Sequence, residues 1–283
     1  MTTAEGSGNP QADRWNGVAG RNWVASQEML EALFAPLRAR LVEVARAAAP
    51  AHVLDIGCGT GGTTLALARA LAGNGRCTGI DISAPMLDAA RAGAAEAGVE
   101  ASFVLADAQA HDFPPAEYDL LLSRFGVMFF ADPVAAFGNL RRAASGGARM
   151  LLHAWRGAAE NPFMTAAERA AAPHLPDLPP RQPDGPGQFA FGDEIRVRRI
   201  LSDSGWTNIE IRPLDLPLSM PEMHLDTYLN RLGPVGAMLQ DADPELRRRV
   251  LAAVRPAFAP FVADGQVRFT AACWEIEARN PGA

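Results

Sequence analysis

Apolar residues recur with two different periods along the first half of the chain. Between Trp15 and Ala48 they return every three or four positions, which predicts helices, with a break at Pro36. Beyond residue 50, short apolar runs alternate with helical stretches, and strict alternation of this kind predicts a parallel, doubly wound α/β sheet. The pattern divides this half into a polar segment expected to be disordered (1–12), a helical lead-in (13–50) and an α/β core (51–156).

The second half, 157–283, continues the sheet but contains two long interruptions. A helix is predicted at 193–204, and strands are predicted at 206–216 and 267–277. The proline-rich stretch 157–190 and the largely helical stretch 217–265 exceed ordinary connections, so we expect a lid over a substrate. A structural extension or a homodimer face is the alternative. The whole pattern predicts a mostly parallel, seven-stranded, doubly wound α/β sheet with N-terminal helices and a helical lid.

A glycine-rich turn follows the first predicted strand of the core. Asp55 ends that strand, and Gly57, Gly59 and Gly61 alternate with other residues before a predicted helix. Glycine lets a ligand approach the backbone closely, and the first amides of a helix are free to donate. Turns are rich in glycine in general, so the turn alone does not establish a nucleotide site.

Carboxylates follow the next two predicted strands as well. Asp81 ends the second strand and Asp107 follows the third, and ligands of open α/β sheets bind at the carboxyl ends of strands. Each aspartate alone could simply start a turn or cap a helix. Together with the glycine turn they indicate a cofactor site. The nicotinamide fingerprint G-x-G-x-x-G is a poor match, because here an acid precedes glycines at every second position.

These segments resemble the first three motifs of the class I S-adenosylmethionine-dependent methyltransferases. The likeness is carried by 53–61, 79–83 with Met86, and 106–109, and it continues through 118–130 and 140–147. Within that family the chain is most similar to the branch acting in ubiquinone and menaquinone biosynthesis. The resemblance implies a Rossmann-like methyltransferase fold, S-adenosylmethionine as the cofactor, and an enzyme that methylates a small molecule.

The resemblance also implies roles for individual residues. Asp55 would hold the methionine ammonium, Asp81 would accept from the ribose hydroxyls, and Asp107 would accept from the adenine amine. Ile82 and Met86 would enclose the adenine, unless they are core residues. The expected cofactor-binding residues are Trp15, Arg21, Trp23, Asp55, Gly57, Cys58, Gly59, Thr60, Gly61, Asp81, Ile82, Met86, Asp107, Ala108, Gln109, Ser123 and Arg124.

Aromatic residues at strand ends and in the late segments predict an apolar or aromatic acceptor. Any one of them could instead belong to the core. The nucleophile, oxygen, nitrogen or carbon, stays open. Arg21 and Arg124 are the cations expected near the methionine carboxylate or an acidic substrate. The expected pocket residues are Phe125, Phe129, Trp155, Phe163 and Phe191.

Methyl transfer requires a general base only if the nucleophile arrives protonated. The candidates are His111 in a loop, His153 in a predicted strand, and His224 at the start of the expected lid. Alternation along the strand favours a core position for His153, and a loop histidine is usually solvated. We therefore predict His224 as the catalytic residue.

Composition narrows the remaining function classes. The net charge is −6 over 283 residues, which disfavours a nucleic-acid partner. All 26 basic residues are arginine, so lysine Schiff-base chemistry is excluded. The three scattered cysteines predict no metal site, and no signal core or membrane-length apolar run is visible, which predicts a cytoplasmic protein. The alternatives are a non-catalytic cofactor-binding regulatory protein and a ubiquinone-pathway-like C-methyltransferase.

Overall fold

The computed structural model describes residues 8–181 and 185–282. Within them the chain forms one sheet of eight strands in the order β3-β2-β1-β4-β5-β8-β6, with β7 paired to β8. The first five strands of this order run parallel, whereas β8 is antiparallel to both β5 and β6. The strands are β1 (His52–Ile56), β2 (Arg76–Asp81), β3 (Ser102–Leu105), β4 (Tyr118–Arg124), β5 (Ala144–Trp155), β6 (Thr207–Pro221), β7 (Val262–Ala263) and β8 (Gln266–Arg279).

Helices precede the sheet, flank it and fill the late segments. Several begin where the sequence predicts, because an N-terminal oxygen meets the first free amides: Ser83 Oγ accepts from the Met86 amide and Asp132 Oδ1 from the Ala135 amide. The helices are α1 (Pro10–Asn16), α2 (Val18–Ala25), α3 (Gln27–Leu33), α4 (Ala35–Ala48), α5 (Gly62–Ala70), α6 (Ala84–Ala97), α7 (Pro133–Ala143), α8 (Phe163–Ala171), α9 (Glu194–Asp203), α10 (Leu225–Arg231), α11 (Gly233–Leu239) and α12 (Pro244–Val254).

The predicted fold class is confirmed, with three differences in detail. The two-residue strand β7 makes the sheet eight-stranded rather than seven-stranded. Helix α1 begins at Pro10, so residues 10–12 of the segment predicted to be disordered are helical, while residues 1–7 lie outside the described residues. Strand β6 extends to Pro221, so 217–221 of the predicted lid belong to the β6–β8 ladder. The Asn9 cap accounts for the early start of α1, and the long pairing with β8 accounts for the extension of β6.

The core lies on both faces of the sheet, as side-chain alternation along β4 shows. Leu121 packs into the larger apolar cluster, while Leu120 and Leu122 point to the opposite face and join a second cluster with α4 and α5. The larger cluster also contains residues of the late helices, among them Leu225 and Phe258. The helices between β6 and β8 are therefore built into the same core as the sheet.

Two other kinds of feature are absent from the described part of the chain. Within it, no helix has both the length and the apolarity needed to cross a bilayer. In the same residues, no three histidine, cysteine or acidic side chains converge as metal ligands.

Candidate active site

The carboxyl ends of β1, β2 and β4 face one cavity of about 1000 Å³. The strand-end turns and helices α1–α3 form one side of it, and parts of 158–190, α10 and α11 form the other. Ligand pockets typically measure about 300–1,000 Å³. The cavity therefore has room for a nucleoside-sized ligand together with a small acceptor.

The turn after β1 brings backbone directly against this cavity. The amides of Gly57 and Cys58 donate to the Ile80 carbonyl at 2.9 and 3.1 Å, which ties the turn to the end of β2. Gly57 has φ +65°, and a Cβ there would lie 2.6 Å from the Cα of Gly126. Only glycine fits this close approach, which keeps the turn after β1 and the turn after β4 together at the cavity wall.

Asp55 is the most deeply buried carboxylate at the cavity, with 1% of its surface exposed. Its Oδ2 accepts from the Thr64 hydroxyl at 2.6 Å. Burial raises the pKa of Asp55 to about 6, although the Thr64 hydrogen bond and the Arg124 charge act in the opposite direction. A cation placed beside Asp55 would favour the ionised form.

Asp81 is held by two backbone amides. Its Oδ2 accepts from the Gly59 amide at 2.7 Å and its Oδ1 from the Ser83 amide at 2.9 Å. Burial raises the pKa of Asp81 against these hydrogen bonds. Each carboxylate oxygen has two acceptor positions, so both can accept a further hydroxyl.

Asp107 also has both oxygens engaged, one by a distant segment. Its Oδ1 accepts from the Gln109 amide at 2.9 Å, and its Oδ2 accepts from Asn9 Nδ2 at 2.8 Å. Asn9 is the N-cap of α1. The N-terminal end of α1 thus reaches across to the end of β3.

Helix α1 is further fixed to the turn after β2. Ser83 Oγ donates to the Trp15 carbonyl at 2.7 Å, and Asn16 Nδ2 donates to the Ile82 carbonyl at 3.0 Å. The Trp15 ring meets the Phe129 ring edge-on, with centroids 5.0 Å apart. The α1 helix therefore covers the part of the cavity that Asp81 and Asp107 line.

A partly buried ion-pair network lies beside Asp55. Arg124 Nη2 donates to Glu31 Oε1 at 2.6 Å, and the other Glu31 oxygen pairs with Arg38. Burial acts to raise the pKa of Glu31, but the two arginines lower it below its usual value. Arg124 Nη1 is buried and has no hydrogen-bond partner within the described residues. It is a charged donor that a ligand in the cavity could satisfy.

An aromatic row lines the cavity beyond Arg124. Phe125 and Trp155 are stacked with ring centroids 4.3 Å apart, and Trp155 meets Phe163 edge-on at 6.0 Å. Phe125 has φ +70°, which costs a bulky residue about 1–3 kcal/mol. The strained turn directs the ring onto Trp155, and the Phe125 amide donates to the His153 carbonyl at 2.9 Å.

Most of the residues predicted from the sequence line this cavity, including Asp55, Asp81, Asp107 and Arg124. Five predicted residues are not among its lining residues: Arg21, Gly61, Ser123, Phe191 and His224. Gly61 and Ser123 were predicted from the motif segments, Arg21 from the lead-in, Phe191 from the end of the proline-rich stretch, and His224 from the expected lid. Neighbouring positions in a strand or helix face different directions.

Three of these residues do not line the cavity but pack between the helices and strands around it. A Cβ on Gly61 would lie 2.8 Å from the Cβ of Ala90, so Gly61 allows α5 to approach α6. Ser123 Oγ donates to the Ile56 carbonyl at 2.7 Å and joins the ends of β1 and β4. Phe191 is buried against Phe137, with ring centroids 6.1 Å apart.

The other two are placed away from the cavity. Arg21 is exposed on α2, where its Nη1 donates to the Asn16 carbonyl at 3.5 Å. His224, the predicted base, lies in a short 3-10 turn at the end of the β6–β8 ladder. The extension of β6 to Pro221 moves the start of α10 to this end, so the structure does not bring His224 to the cavity.

The remaining histidines considered as bases are not at the cavity either. His153 is fully buried, and its Nε2 lies 3.5 Å from Glu275 Oε2. Burial lowers the pKa of His153, and His111 packs edge-on against Phe113.

Three lining residues that sequence reasoning missed are Arg14, Arg181 and Tyr228. Arg14 directly precedes Trp15 and Tyr228 is one of only two tyrosines, but nothing in the sequence distinguished Arg181.

Comparison with known proteins places this cavity in a familiar fold. Residues 53–147 match the family described as "Methyltransferase domain". In structure, the chain is similar to the YcgJ protein of Bacillus subtilis, with a TM-score of 0.58, 20% identity, and coverage of 86% of this chain and 97% of that one. At this identity the likeness shows the fold.

Two named methyltransferases are similar in sequence. One is aklanonic acid methyltransferase DauC of a Streptomyces species, 33% identical, with 41% of this chain and 54% of that protein covered. The other is the demethylmenaquinone methyltransferase of Thermus thermophilus, 37% identical, with coverage of 41% and 52%. The chain spans about half the length of these relatives. Residues 53–147 thus match a methyltransferase domain, and this match together with the named relatives supports the class I S-adenosylmethionine-dependent methyltransferase family that the sequence resembles.

Proposed function

We propose that the protein transfers a methyl group from S-adenosylmethionine to an oxygen, nitrogen or carbon nucleophile of a small, apolar or aromatic metabolite. The observation that carries this proposal is the placement of Asp55, Asp81 and Asp107 on one cavity whose far side is aromatic. Asp55 lies near the end of β1, Asp81 ends β2 and Asp107 follows β3, and these three strands are adjacent in the sheet.

The residues present fit the cofactor well. Asp55 and Arg124 Nη1, which has no hydrogen-bond partner among the described residues, would hold the ammonium and carboxylate of the methionine moiety. Asp81 would accept from the ribose hydroxyls with its remaining lone pairs. Asp107 and the Ala108 amide would bind the adenine edge, and Met86, which lines the same part of the cavity, would contact its face. The bound cofactor supplies a methyl group activated by its positive sulfur.

The chain's own contribution to transfer is orientation and the exclusion of water. An in-line displacement needs the nucleophile fixed about 3–3.5 Å from the methyl carbon, and a dry site strengthens electrostatic contacts. The lining residues from 158–190 and from α10 and α11 support a lid over the acceptor. Because Phe125, Trp155 and Phe163 form one wall, an aromatic acceptor would be oriented by stacking.

The names of the relatives support the same acceptor class. One relative is named for aklanonic acid and another for demethylmenaquinone. A quinone-directed C-methyltransferase is one specific form of the proposal. Fold alone does not determine which nucleophile reacts.

Two measurements test the proposal. Isothermal titration should show micromolar binding of S-adenosylhomocysteine and no binding of NAD or NADP. Incubation with S-adenosylmethionine and a panel of phenols, hydroxyquinones, aromatic acids and aromatic amines should yield a methylated product by mass spectrometry. Tight binding of a nicotinamide cofactor would contradict the cofactor assignment. Cofactor binding without any methylated product would favour the regulatory alternative.

A further inference from the structure

Three polar side chains converge on the cavity from separate segments, in addition to those assigned to the cofactor. Arg14 comes from α1, Arg181 from the stretch between α8 and α9, and Tyr228 from α10, and all three line the cavity. The Arg14 guanidinium lies 5.5 Å from the Trp15 ring centroid and 5.6 Å from that of Phe129. The Arg181 guanidinium lies 4.7 Å from the Phe189 ring centroid. Aromatic faces thus support both cations at the cavity wall.

The second arginine is oriented by its neighbours. Arg181 Nε donates to Glu168 Oε2 at 2.8 Å and its Nη2 donates to Glu168 Oε1 at 2.5 Å. Its Nη1 donates to Gln188 Oε1 at 2.9 Å. By contrast, no carboxylate within the described residues forms a salt bridge with Arg14. Among the described residues, the pair therefore carries one positive charge that is not part of a salt bridge.

The two arginines repel each other, and the tyrosine is a neutral donor. Burial and the Arg181 charge both lower the pKa of Arg14, although it stays protonated at neutral pH. Burial raises the pKa of the Tyr228 hydroxyl against the opposing influence of Arg181. An anion between these groups would relieve the repulsion and accept from three donors.

We propose that Arg14, Arg181 and Tyr228 form an anion subsite. The acceptor is then an aromatic compound whose own carboxylate group binds to this subsite. This inference rests on the proposed function and specifies its acceptor. A guanidinium presents paired donors that match the two oxygens of a carboxylate. The aromatic row of Phe125, Trp155 and Phe163 on the same cavity gives the ring system of such an acceptor a stacking surface.

The test compares two probes of nearly the same shape, naphthoate and naphthamide, which differ in charge. Isothermal titration into the wild-type protein saturated with S-adenosylhomocysteine should show at least tenfold tighter binding of naphthoate. Arg14→Gln should reduce this preference to about threefold or less. The double variant Arg181→Gln with Glu168→Gln removes both members of the ion pair without leaving an unpaired charge, and should have the same effect. Tyr228→Phe should reduce the preference by a few fold.

Arg169→Gln is the matched control. Arg169 follows Glu168 on α8, its Nη1 is paired with the Thr165 hydroxyl, and it is absent from the cavity lining. Arg169→Gln removes one positive charge from α8, next to Glu168 but outside the cavity lining, so it should leave the preference unchanged. An equal loss in Arg169→Gln would show a general field effect and overturn the subsite. A wild-type protein without preference for naphthoate, or an Arg14→Gln variant that keeps it, would overturn it too.

The outcomes separate this inference from the proposed function. Titration with S-adenosylhomocysteine alone comes first. Binding of S-adenosylhomocysteine without a preference for naphthoate refutes the anion subsite and leaves the methyltransferase proposal standing. A preference for naphthoate in a protein that does not bind S-adenosylhomocysteine supports the subsite and refutes the methyltransferase proposal.

Discussion

The two sides of the cavity are built in different ways. On the cofactor side, Asp55, Asp81 and Asp107 are close to strand ends and are held by backbone amides or a hydroxyl. On the acceptor side, the wall is mainly aromatic and comes from segments far apart in the chain, such as Phe163 and Tyr228. The first side depends on backbone conformation, whereas the second depends on tertiary packing.

This difference shows which changes each side tolerates. A turn that places its amides and carboxylates through backbone geometry fails when the backbone is disturbed. An aromatic wall loses affinity gradually, because each ring contributes a modest part of the contact. Substitutions on the cofactor side should therefore have larger effects than substitutions on the acceptor side.

Gly57→Ala should have the largest effect. The new Cβ would lie 2.6 Å from the Gly126 backbone, and φ is +65°. Overpacking should lower the free energy of unfolding by about 1–3 kcal/mol, in addition to the ~1–2 kcal/mol that the left-handed conformation costs alanine. Binding of S-adenosylhomocysteine should be lost. Chemical denaturation and calorimetry measure both. Gly73→Ala is the control, because Gly73 has φ +82° but open space around it. Equal destabilisation of both variants would refute the steric argument.

Asp81→Asn should weaken S-adenosylhomocysteine binding at least tenfold in isothermal titration. The variant keeps the shape but loses charge-assisted hydrogen bonds, each worth about 1.5–3 kcal/mol. Asp119→Asn is the matched control. Asp119 Oδ2 also accepts hydrogen bonds from two backbone amides, those of Ala51 and His52, at 2.9 and 3.0 Å, but Asp119 is not among the cavity-lining residues. Asp119→Asn should change stability but not affinity. Similar affinity losses in both variants would mean that Asp81 acts only through the fold.

Binding of S-adenosylhomocysteine should weaken as the pH falls below about 6. Burial raises the pKa of Asp55 to about 6, above the ~3.9 of an unfolded carboxyl. The ionised form is thus disfavoured in the fold, and that cost to stability is present above pH 6 and disappears below about pH 4. The cofactor ammonium needs the ionised form, so affinity should fall by up to tenfold per pH unit below 6. Asp55→Asn should show a shallower dependence, with the remainder arising from Asp81. An identical slope would contradict the role of Asp55.

Phe129→Leu should have the smallest effect. Its ring meets Trp15 edge-on at 5.0 Å and lines the cavity, and an aromatic pair is worth about 0.5–1.5 kcal/mol. The acceptor KM should rise a few fold in steady-state kinetics. Phe191→Leu changes a buried ring outside the cavity lining, so it should lower the thermal midpoint without changing KM. The reverse pattern would show that Phe191, as the sequence suggested, is the pocket residue.

The sequence predicted the fold class and several strand-end residues that line one side of the cavity, because the information is local. Asp55, Gly57 and Asp81 lie within two strand–turn units, and their burial and turns follow from short patterns. It missed Arg181 and Tyr228, and it placed His224 wrongly relative to the cavity, because these positions depend on how 158–190 and α10 pack against the sheet. The length of β6 could not be predicted from the sequence either. Its far half alternates as a strand does, but Pro217 and Pro221 interrupt the pattern, and proline argues against a strand.

The shared core of the sheet and the late helices has a consequence for evolution. Leu225, Val235 and Phe258 lie in the same apolar cluster as Leu54 and Leu121 of the central strands. A substitution that reshapes the acceptor wall therefore also changes global stability, and most substitutions destabilise by about 0.5–3 kcal/mol. Acceptor preference in this protein can drift only as far as its stability margin permits. Variants with a stabilised background should consequently explore a wider range of acceptors than the natural chain.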